Sequence, residues 1–168
     1  MNTKNSDKLV IYNWGDYIDP ELLKEFTKET GIQVQYDTFD SNEAMYTKIK
    51  QGGTTYDIAI PSEYMIAKMM DDLRNNPPKK FGAWNVVEFR DYKKDECTVI
   101  ATGEKKPTGL PESNVLYFEL NDHAWCCARP SGTEPKIKFY MGVKGTGLED
   151  ADKKLEELTD AVSEIVGL

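Results

Sequence analysis

Two groups of side chains in this sequence carry the chemistry to bind a small charged ligand, and the first suits a cation. It consists of Trp14, Asp16 and Tyr17 after the first predicted strand, with Ser62 and Tyr64 after the third. Aromatic faces, carboxylates and a hydroxyl hold an ammonium group through cation–π attraction and charge-assisted hydrogen bonds. The alternative is that both aromatic side chains of the 14–17 segment pack over the edge of a sheet, and its carboxylate only starts a turn.

The second group suits an anion and lies in the loop 129–136, between two predicted strands. This loop offers two cations, two hydroxyl groups and a glycine that permits unusual backbone angles. Its backbone amides can form an anion-binding concavity, and Arg129 can contact phosphate through two parallel hydrogen bonds. The Walker glycine-lysine-serine spacing is absent, so the loop is not a nucleotide P-loop. From spacing alone, a tight surface turn is an equally good interpretation.

The remaining reactive side chains indicate neither a metal centre nor a catalytic centre. Cys97, Cys126 and Cys127 are odd in number and lack C-x-x-C spacing, which argues against a disulfide framework and a zinc site. The adjacent pair lies in an apolar run, as reduced core cysteines do. The single histidine, His123, has no second histidine to complete a triad or a metal site. We therefore expect no metal, no cofactor and no catalytic residue.

Charge and hydropathy exclude two further classes of partner. The formal net charge is −8, and an acidic balance argues against a nucleic-acid partner, which would select a basic face. No run approaches the roughly 18 apolar residues that span a bilayer, so no membrane partner is expected. Residues 1–7 are polar and lack the apolar region of an export signal. We expect no targeting signal and a cytoplasmic location as expressed.

The first half predicts an α/β arrangement, because strand and helix patterns alternate as β-α-β-α-β-α. Asp19 is placed to cap the first helix, Pro20 to begin it and Gly31 to end it. Asp40 is the predicted cap of the second helix, with Glu43 in capping-box spacing. Such alternation implies a three-stranded parallel sheet, with ligands beyond the carboxyl ends of its strands. The 14–17 and 61–64 segments meet there if the first and third strands are neighbours.

The second half predicts an α+β arrangement, with a four-stranded antiparallel sheet and a long C-terminal helix. Thr146 and Glu149 have capping-box spacing at the start of that helix, and its apolar residues step by three and four. A third predicted helix, residues 63–75, joins the two halves. The predicted strands are 81–92, 114–120, 124–129 and 136–141.

Residues 8–68 closely resemble the spermidine/putrescine-binding proteins of bacterial uptake transporters. The resemblance rests on four blocks in order, YNWGDY at 12–17, FTKETG at 26–31, SNEAMY at 41–46 and PSEY at 61–64. It implies that the first group of side chains lines the polyamine cleft of the intact family. Those proteins close two lobes around the ligand, whereas the matching text here stops as the third helix begins. The resemblance therefore implies a partial site for a polyamine, of low affinity.

Residues 72–167 closely resemble the C-terminal domain of bacterial phosphoglucomutases and phosphomannomutases, the α-D-phosphohexomutases. The text RPSGTEPKIK at 129–138 is similar to that family's phosphate-binding loop. By this resemblance, Arg129, Ser131, Gly132 and Thr133 hold the phosphate of a phosphosugar. The family's phosphorylated serine, aspartate-rich magnesium loop and sugar-reading loop have no counterpart in this chain. Because phosphoryl transfer needs metal, nucleophile and positioning together, we do not expect an enzyme.

Together these patterns predict two domains, residues 1–70 and 71–168, with a junction inside 65–73. The first parent family works outside the cytoplasmic membrane and the second in the cytosol. We therefore expect an engineered chimeric protein without catalytic activity, which carries partial polyamine-binding and phosphosugar-binding sites. The alternatives are a weak spermidine/putrescine-binding module and a natural fusion that binds phosphohexoses. An unpaired edge of the first sheet also predicts self-association or partial disorder there.

Overall fold

The computed structural model describes residues 8–54, 56–133 and 136–166. Within them the chain divides into two compact units, which we call the first unit (residues up to Pro61, with Val166) and the second unit (Ser62–Ile165). The first unit is built on a parallel sheet and the second on an antiparallel sheet. The chain is therefore mixed α/β, as the alternation of patterns predicted. The predicted domain boundary at 70/71 stays a prediction about sequence origin.

The first unit is a three-stranded parallel sheet with two helical crossovers. Its strand order is β2-β1-β3, and Ile11 and Tyr12 of β1 lie opposite Ile58 and Ala59 of β3. The first and third strands are thus neighbours, which was the condition for the 14–17 and 61–64 segments to follow adjacent strands. The elements are β1 (Lys8–Trp14), α1 (Pro20–Thr30), β2 (Gln33–Phe39), α2 (Asn42–Gln51) and β3 (Ile58–Ala59).

The helix caps of the first unit confirm one prediction and correct another. Asp19 Oδ1 accepts a hydrogen bond from the Glu21 backbone N–H at 2.9 Å, and Gly31 ends α1 at φ 77°. The predicted Asp40 cap is wrong: α2 begins at Asn42, so the extended residue just before it is Ser41. The Ser41 hydroxyl accepts from the backbone N–H of residue 44 at 3.2 Å.

The second unit contains seven strands, so the prediction of a four-stranded sheet is wrong. The order is β10-β9-β8-β5-β6-β7, with β4 paired to β5, and every pairing is antiparallel. The extra strands β4, β6 and β7 have two to four residues, too few to show alternation. The elements are α3 (Glu63–Asn75), β4 (Lys80–Phe81), β5 (Trp84–Asp91), β6 (Glu96–Val99), β7 (Lys105–Lys106), β8 (Leu116–Leu120), β9 (Trp125–Pro130), β10 (Ile137–Gly142) and α4 (Leu148–Val166).

One face of this sheet packs against helical side chains to form the core of the second unit. Met70 of α3 and Leu158 and Val162 of α4 lie in the same cluster as the inward side chains of β5, β8 and β9. The long predicted C-terminal helix is confirmed. The start of α4 differs from prediction, because Asp150, not Glu149, accepts from the Thr146 backbone N–H at 2.8 Å.

A buried ion pair ties α3 to the sheet in the second unit, and the sequence analysis missed it. Arg74 Nε lies 3.1 Å from Asp91 Oδ2, and the two residues are 7% and 2% exposed. Arg74 also donates to Asn114 Oδ1 at 2.6 Å. The final turn of α3 is thus fixed by charge as well as by apolar contacts.

Candidate functional site

The 14–17 segment leaves the carboxyl end of the central strand of the first unit, as predicted. Trp14 is the last residue of β1, and its carbonyl accepts hydrogen bonds from the Tyr17 backbone N–H at 3.4 Å and the Tyr36 hydroxyl at 2.9 Å. The turn brings the Trp14 and Tyr17 rings to 6.0 Å between centroids. Asp16 is exposed between them in the chain. Two aromatic faces and a carboxylate therefore share one short turn.

Neighbouring side chains fix Trp14 and leave Tyr17 open to a ligand. The Phe39 ring packs on the Trp14 ring at 4.6 Å, and the buried Asn13 side chain accepts from the Trp14 backbone N–H at 2.8 Å. Tyr17 is 66% exposed. Trp14 thus has a packing role as well as a partly exposed surface, and the ammonium-binding interpretation of this segment stays a prediction.

Ser62 and Tyr64 belong to the second unit, at the start of α3. Ser62 takes the N-cap position with extended backbone angles, although its side chain makes no capping hydrogen bond. The Tyr64 ring is 54% exposed. The joint site of five residues that the resemblance implied therefore stays a prediction.

The first unit also contains an occupied cation site that sequence reasoning missed. Lys48 Nζ of α2 lies 4.8 Å from the Tyr12 ring centroid and 5.6 Å from the Tyr56 ring centroid. It also lies 3.8 Å from Asp37 Oδ2, which accepts from the Tyr56 hydroxyl at 3.1 Å. A signal was available: Lys48 follows the buried Met45 by three residues, so it shares that helix face.

Electrostatics at this site follow from burial and the cation. Burial raises the pKa of Tyr12, although the nearby ammonium acts in the opposite direction. A hydrogen bond with Tyr56 raises the pKa of Lys48, which burial alone would lower. Lys48 is therefore charged and Tyr12 is protonated at neutral pH.

The predicted phosphate loop joins β9 to β10 in the second unit. The Ser131 backbone N–H donates to the Lys136 carbonyl at 2.8 Å, which closes the loop, and the Thr133 N–H lies 3.5 Å from Ser131 Oγ. Arg129 is exposed and lies directly opposite Lys138 in the antiparallel register. Two cations therefore stand side by side at the base of the loop. Gly132 is exposed within it, and positions 134 and 135 lie outside the described residues.

The cysteines are not set up as nucleophiles. Burial raises the pKa of Cys126 to about 12, and burial also raises the pKa values of Cys97 and Cys127. All three are free. Raised thiol pKa values leave little thiolate at neutral pH, and thiolate is the reactive form. His123 is exposed in a single 3-10 turn.

No helix within residues 8–54, 56–133 and 136–166 has the length and apolar character to cross a membrane. The same ranges contain no cluster of three or more His, Cys, Asp or Glu side chains placed to hold a metal ion.

Curated proteins of two kinds match the chain. The spermidine/putrescine-binding periplasmic protein of Salmonella typhimurium is 48% identical over 69 residues, or 40% of this chain and 20% of that protein. The putrescine-binding periplasmic protein SpuD of Pseudomonas aeruginosa is 50% identical over 62 residues, which are 37% of this chain and 17% of that protein. A phosphomannomutase homologue of Haemophilus influenzae is 34% identical over 151 residues, which are 90% of this chain and 24% of that protein. The chain thus spans about a fifth of the length of the polyamine-binding relatives.

A solved structure also matches part of the chain. The substrate-binding protein PotD of a spermidine/putrescine transporter from Streptococcus pneumoniae is 54% identical. The match covers 52% of this chain and 35% of that one, with a TM-score of 0.37.

The curated relatives define the class of chain: it is similar to polyamine-binding proteins over about 40% of its length and to a phosphomannomutase over 90% of it, which is consistent with a fusion of the two. The predicted resemblance to both families is confirmed. A family model described as hypothetical lipoprotein (MG045 family) matches residues 1–98, and the chain belongs to that family. Its match runs past the predicted junction at 65–73.

Proposed function

We propose that the first unit binds an ammonium group of a polyamine at Trp14, Asp16 and Tyr17. The observation that carries this proposal is the aromatic pair, 6.0 Å apart, beside an exposed carboxylate at the end of the central strand. Its support from relatives is that segments about half identical to this one occur in proteins named for spermidine and putrescine binding.

The affinity of this site is expected to be low. Tyr17 is 66% exposed, so a ligand there keeps much of its contact with water. A dissociation constant above about 1 mM, near 4 kcal/mol, is appropriate for so few contacts. Exposed charge attraction is also screened by salt, so binding should weaken as ionic strength rises.

The test is a spermidine titration of the labelled chain, followed by two-dimensional amide NMR. We expect saturable shifts at Trp14, Asp16 and Tyr17 that diminish in salt. Tyr17→Ala should weaken them severalfold, whereas Tyr140→Ala, which removes another exposed tyrosine, should not. Absence of shifts at 14–17, or equal binding by both variants, would refute the proposal.

A second candidate function is phosphate binding at Arg129, Ser131, Gly132 and Thr133. It is supported by the closed loop and by the exposed cations Arg129 and Lys138 at its base. Like charges directly opposite on a sheet are unfavourable, and an anion between them relieves that repulsion. Its ligand class, by similarity to the phosphomannomutase homologue, is a phosphosugar.

Glucose 1-phosphate titration tests this second function. Shifts at residues 131–133 should saturate, and Arg129→Ala should abolish them. Lys93→Ala removes one exposed positive charge elsewhere in the second unit and should leave binding unchanged. Loss of binding in the Lys93 variant would mean that net charge, and not a site at Arg129, controls phosphate binding.

We further propose that this chain does not catalyse the mutase reaction and that it is an engineered fusion. The support for the first statement is the lack of a counterpart in this sequence to the mutase nucleophile, magnesium loop and sugar loop. The support for the second is that the two resembled families work on opposite sides of the cytoplasmic membrane. Measurable conversion of glucose 1-phosphate to glucose 6-phosphate by the purified chain would contradict the first statement. Recovery of one continuous reading frame across residues 60–75 from genomic DNA would contradict the second.

A further inference from the structure

We propose that Tyr12, Asp37 and Tyr56 form a second site for a primary ammonium group, which the chain fills with its own Lys48. The Lys48 ammonium stands in for the end of an alkylammonium ion. An external primary amine therefore binds there when Lys48 is removed and is excluded while Lys48 is present. This inference does not rest on ligand binding by the 14–17 segment.

The aromatic wall of the site is rigid and buried. Tyr12 and Tyr56 stack with centroids 4.5 Å apart and planes within 10°. Their residues are 3% and 1% exposed, so their positions do not depend on the cation. The Phe39 ring supports Tyr12 from another side, at 4.9 Å. Such a preformed wall attracts a cation without reorganisation.

The carboxylate of the site is also fixed. Asp37 lies opposite Tyr12 in the β1–β2 register, on the adjacent strand. Its Oδ2 accepts from the Tyr56 hydroxyl at 3.1 Å and its Oδ1 accepts from Gln35 at 3.3 Å. The negative charge is thus held near the rings whether or not a cation is present. Ring faces with a carboxylate are the elements that recognise an alkylammonium ion.

The cation end of the site is open to solvent. The side chains of Lys48 and Asp37 are 48% and 29% exposed. A small amine can therefore reach the carboxylate once the lysine is shortened. In the unmodified chain Lys48 acts as a tethered competitor, because attachment to α2 gives its ammonium a high effective concentration.

The same helix supplies a matched control. Lys50 Nζ lies 4.8 Å from the Tyr46 ring centroid, the distance at which Lys48 approaches Tyr12. Lys50→Ala therefore removes a lysine–tyrosine contact of equal length from α2. It leaves the two stacked rings and Asp37 unchanged.

The experiment is a titration of Lys48→Ala, Lys50→Ala and the unmodified chain with propylammonium chloride, with sodium chloride at equal ionic strength as reference. Ring resonances of Tyr12 and Tyr56 report on the site. We expect a saturable shift in Lys48→Ala and at least about tenfold weaker binding in the other two proteins. No shift in Lys48→Ala, or equal binding in all three, would overturn the proposal.

If Lys48→Ala does not fold, the proposal is tested on the Lys48 ammonium of the unmodified chain. Nitrogen-detected NMR of lysine side chains should show the Lys48 ammonium displaced from the free-lysine position by the adjacent rings. Tyr56→Phe should then move it toward that position, because the hydroxyl that holds Asp37 is lost. A Lys48 ammonium resonance that matches free lysine would overturn the proposal.

Discussion

The two compact units reach stability by different means. In the first unit α1 has no buried residue, and its apolar side chains Leu22 and Phe26 are 58% and 37% exposed. In the second unit a seven-stranded sheet shares one cluster of fully buried side chains with two helices, reinforced by a buried ion pair. The apolar side chains of α1 are thus partly open to solvent, whereas the second unit has the tighter core. Substitutions that create cavities, clashes or lone charges should therefore act most strongly in the second unit.

The largest expected effect comes from breaking the buried ion pair of the second unit. Asp91→Asn removes the buried one of the two carboxylates that contact the Arg74 guanidinium, whereas the more exposed Asp71 carboxylate remains. We expect a loss of about 3 kcal/mol in the free energy of unfolding, the lower end for a broken buried pair, because Asp71 still compensates part of the Arg74 charge. Urea unfolding followed by amide resonances of the second unit measures it.

The control for that prediction is a weaker contact to the same carboxylate. Lys94 Nζ lies 3.8 Å from Asp91 Oδ2, and its side chain is 55% exposed. Lys94→Ala should cost no more than about 1 kcal/mol. Equal losses in both variants would mean that burial does not set the strength of the Arg74–Asp91 pair.

A smaller loss is expected where the sheet of the second unit packs a ring against a glycine. A Cβ on Gly142 would lie 2.7 Å from Trp125 Cε2 and nearer still to its Nε1, whereas one on Gly147 would meet nothing within 4 Å. Gly142→Ala should cost about 1–3 kcal/mol through overpacking. Gly147→Ala should stay within about 0.5 kcal/mol. Chemical denaturation of both variants, with Trp125 fluorescence, compares them; similar midpoints would contradict the close contact.

A glycine-to-alanine substitution in the first unit, at Gly31, is expected to act through backbone strain alone. Gly31 ends α1 at φ 77° with open space around it, and Gly15 also has open space but no positive φ. Gly31→Ala should cost about 1 kcal/mol because alanine is strained in that conformation, whereas Gly15→Ala should not. Thermal unfolding of the first unit, followed by its amide resonances, measures both. A larger loss for Gly15→Ala than for Gly31→Ala would contradict the role of the positive φ at Gly31.

The sequence predicted Asp19 and Gly31 correctly, since cap and stop residues act over a few positions of chain. It misplaced two other capping residues by one position, because Ser41 rather than Asp40 caps α2 and Asp150 rather than Glu149 accepts from Thr146. It also failed where contacts are non-local or elements are short. The β6 and β7 strands have only four and two residues, too few to show alternation, although each pairs with the strand just before it. The Arg74–Asp91 pair joins residues 17 positions apart in two element types. The Lys48 site was missed for the same reason, because Tyr12, Asp37 and Tyr56 meet only in the folded sheet.

The smallest expected effect concerns pH and the solvent-facing side of the second sheet. Hydrogen bonds from Arg90, and then from Lys106, hold the pKa of Glu88 below its usual value. A lowered folded-state pKa stabilises the protein above the unfolded pKa, near about 4.3, and that contribution disappears as pH falls through the folded pKa.

On acidification from about pH 5 to about pH 3, Glu88→Gln should therefore lose less stability than the unmodified chain. The difference should be below about 1 kcal/mol, because the Glu88 carboxylate is partly solvated. Glu112→Gln, which removes an exposed carboxylate from the same unit, is the control for the change in net charge. Urea midpoints across this range give the comparison. If both variants track the unmodified chain, the Arg90–Glu88 contact at 2.9 Å contributes nothing to folding, and the buried pair alone distinguishes the electrostatics of the second unit.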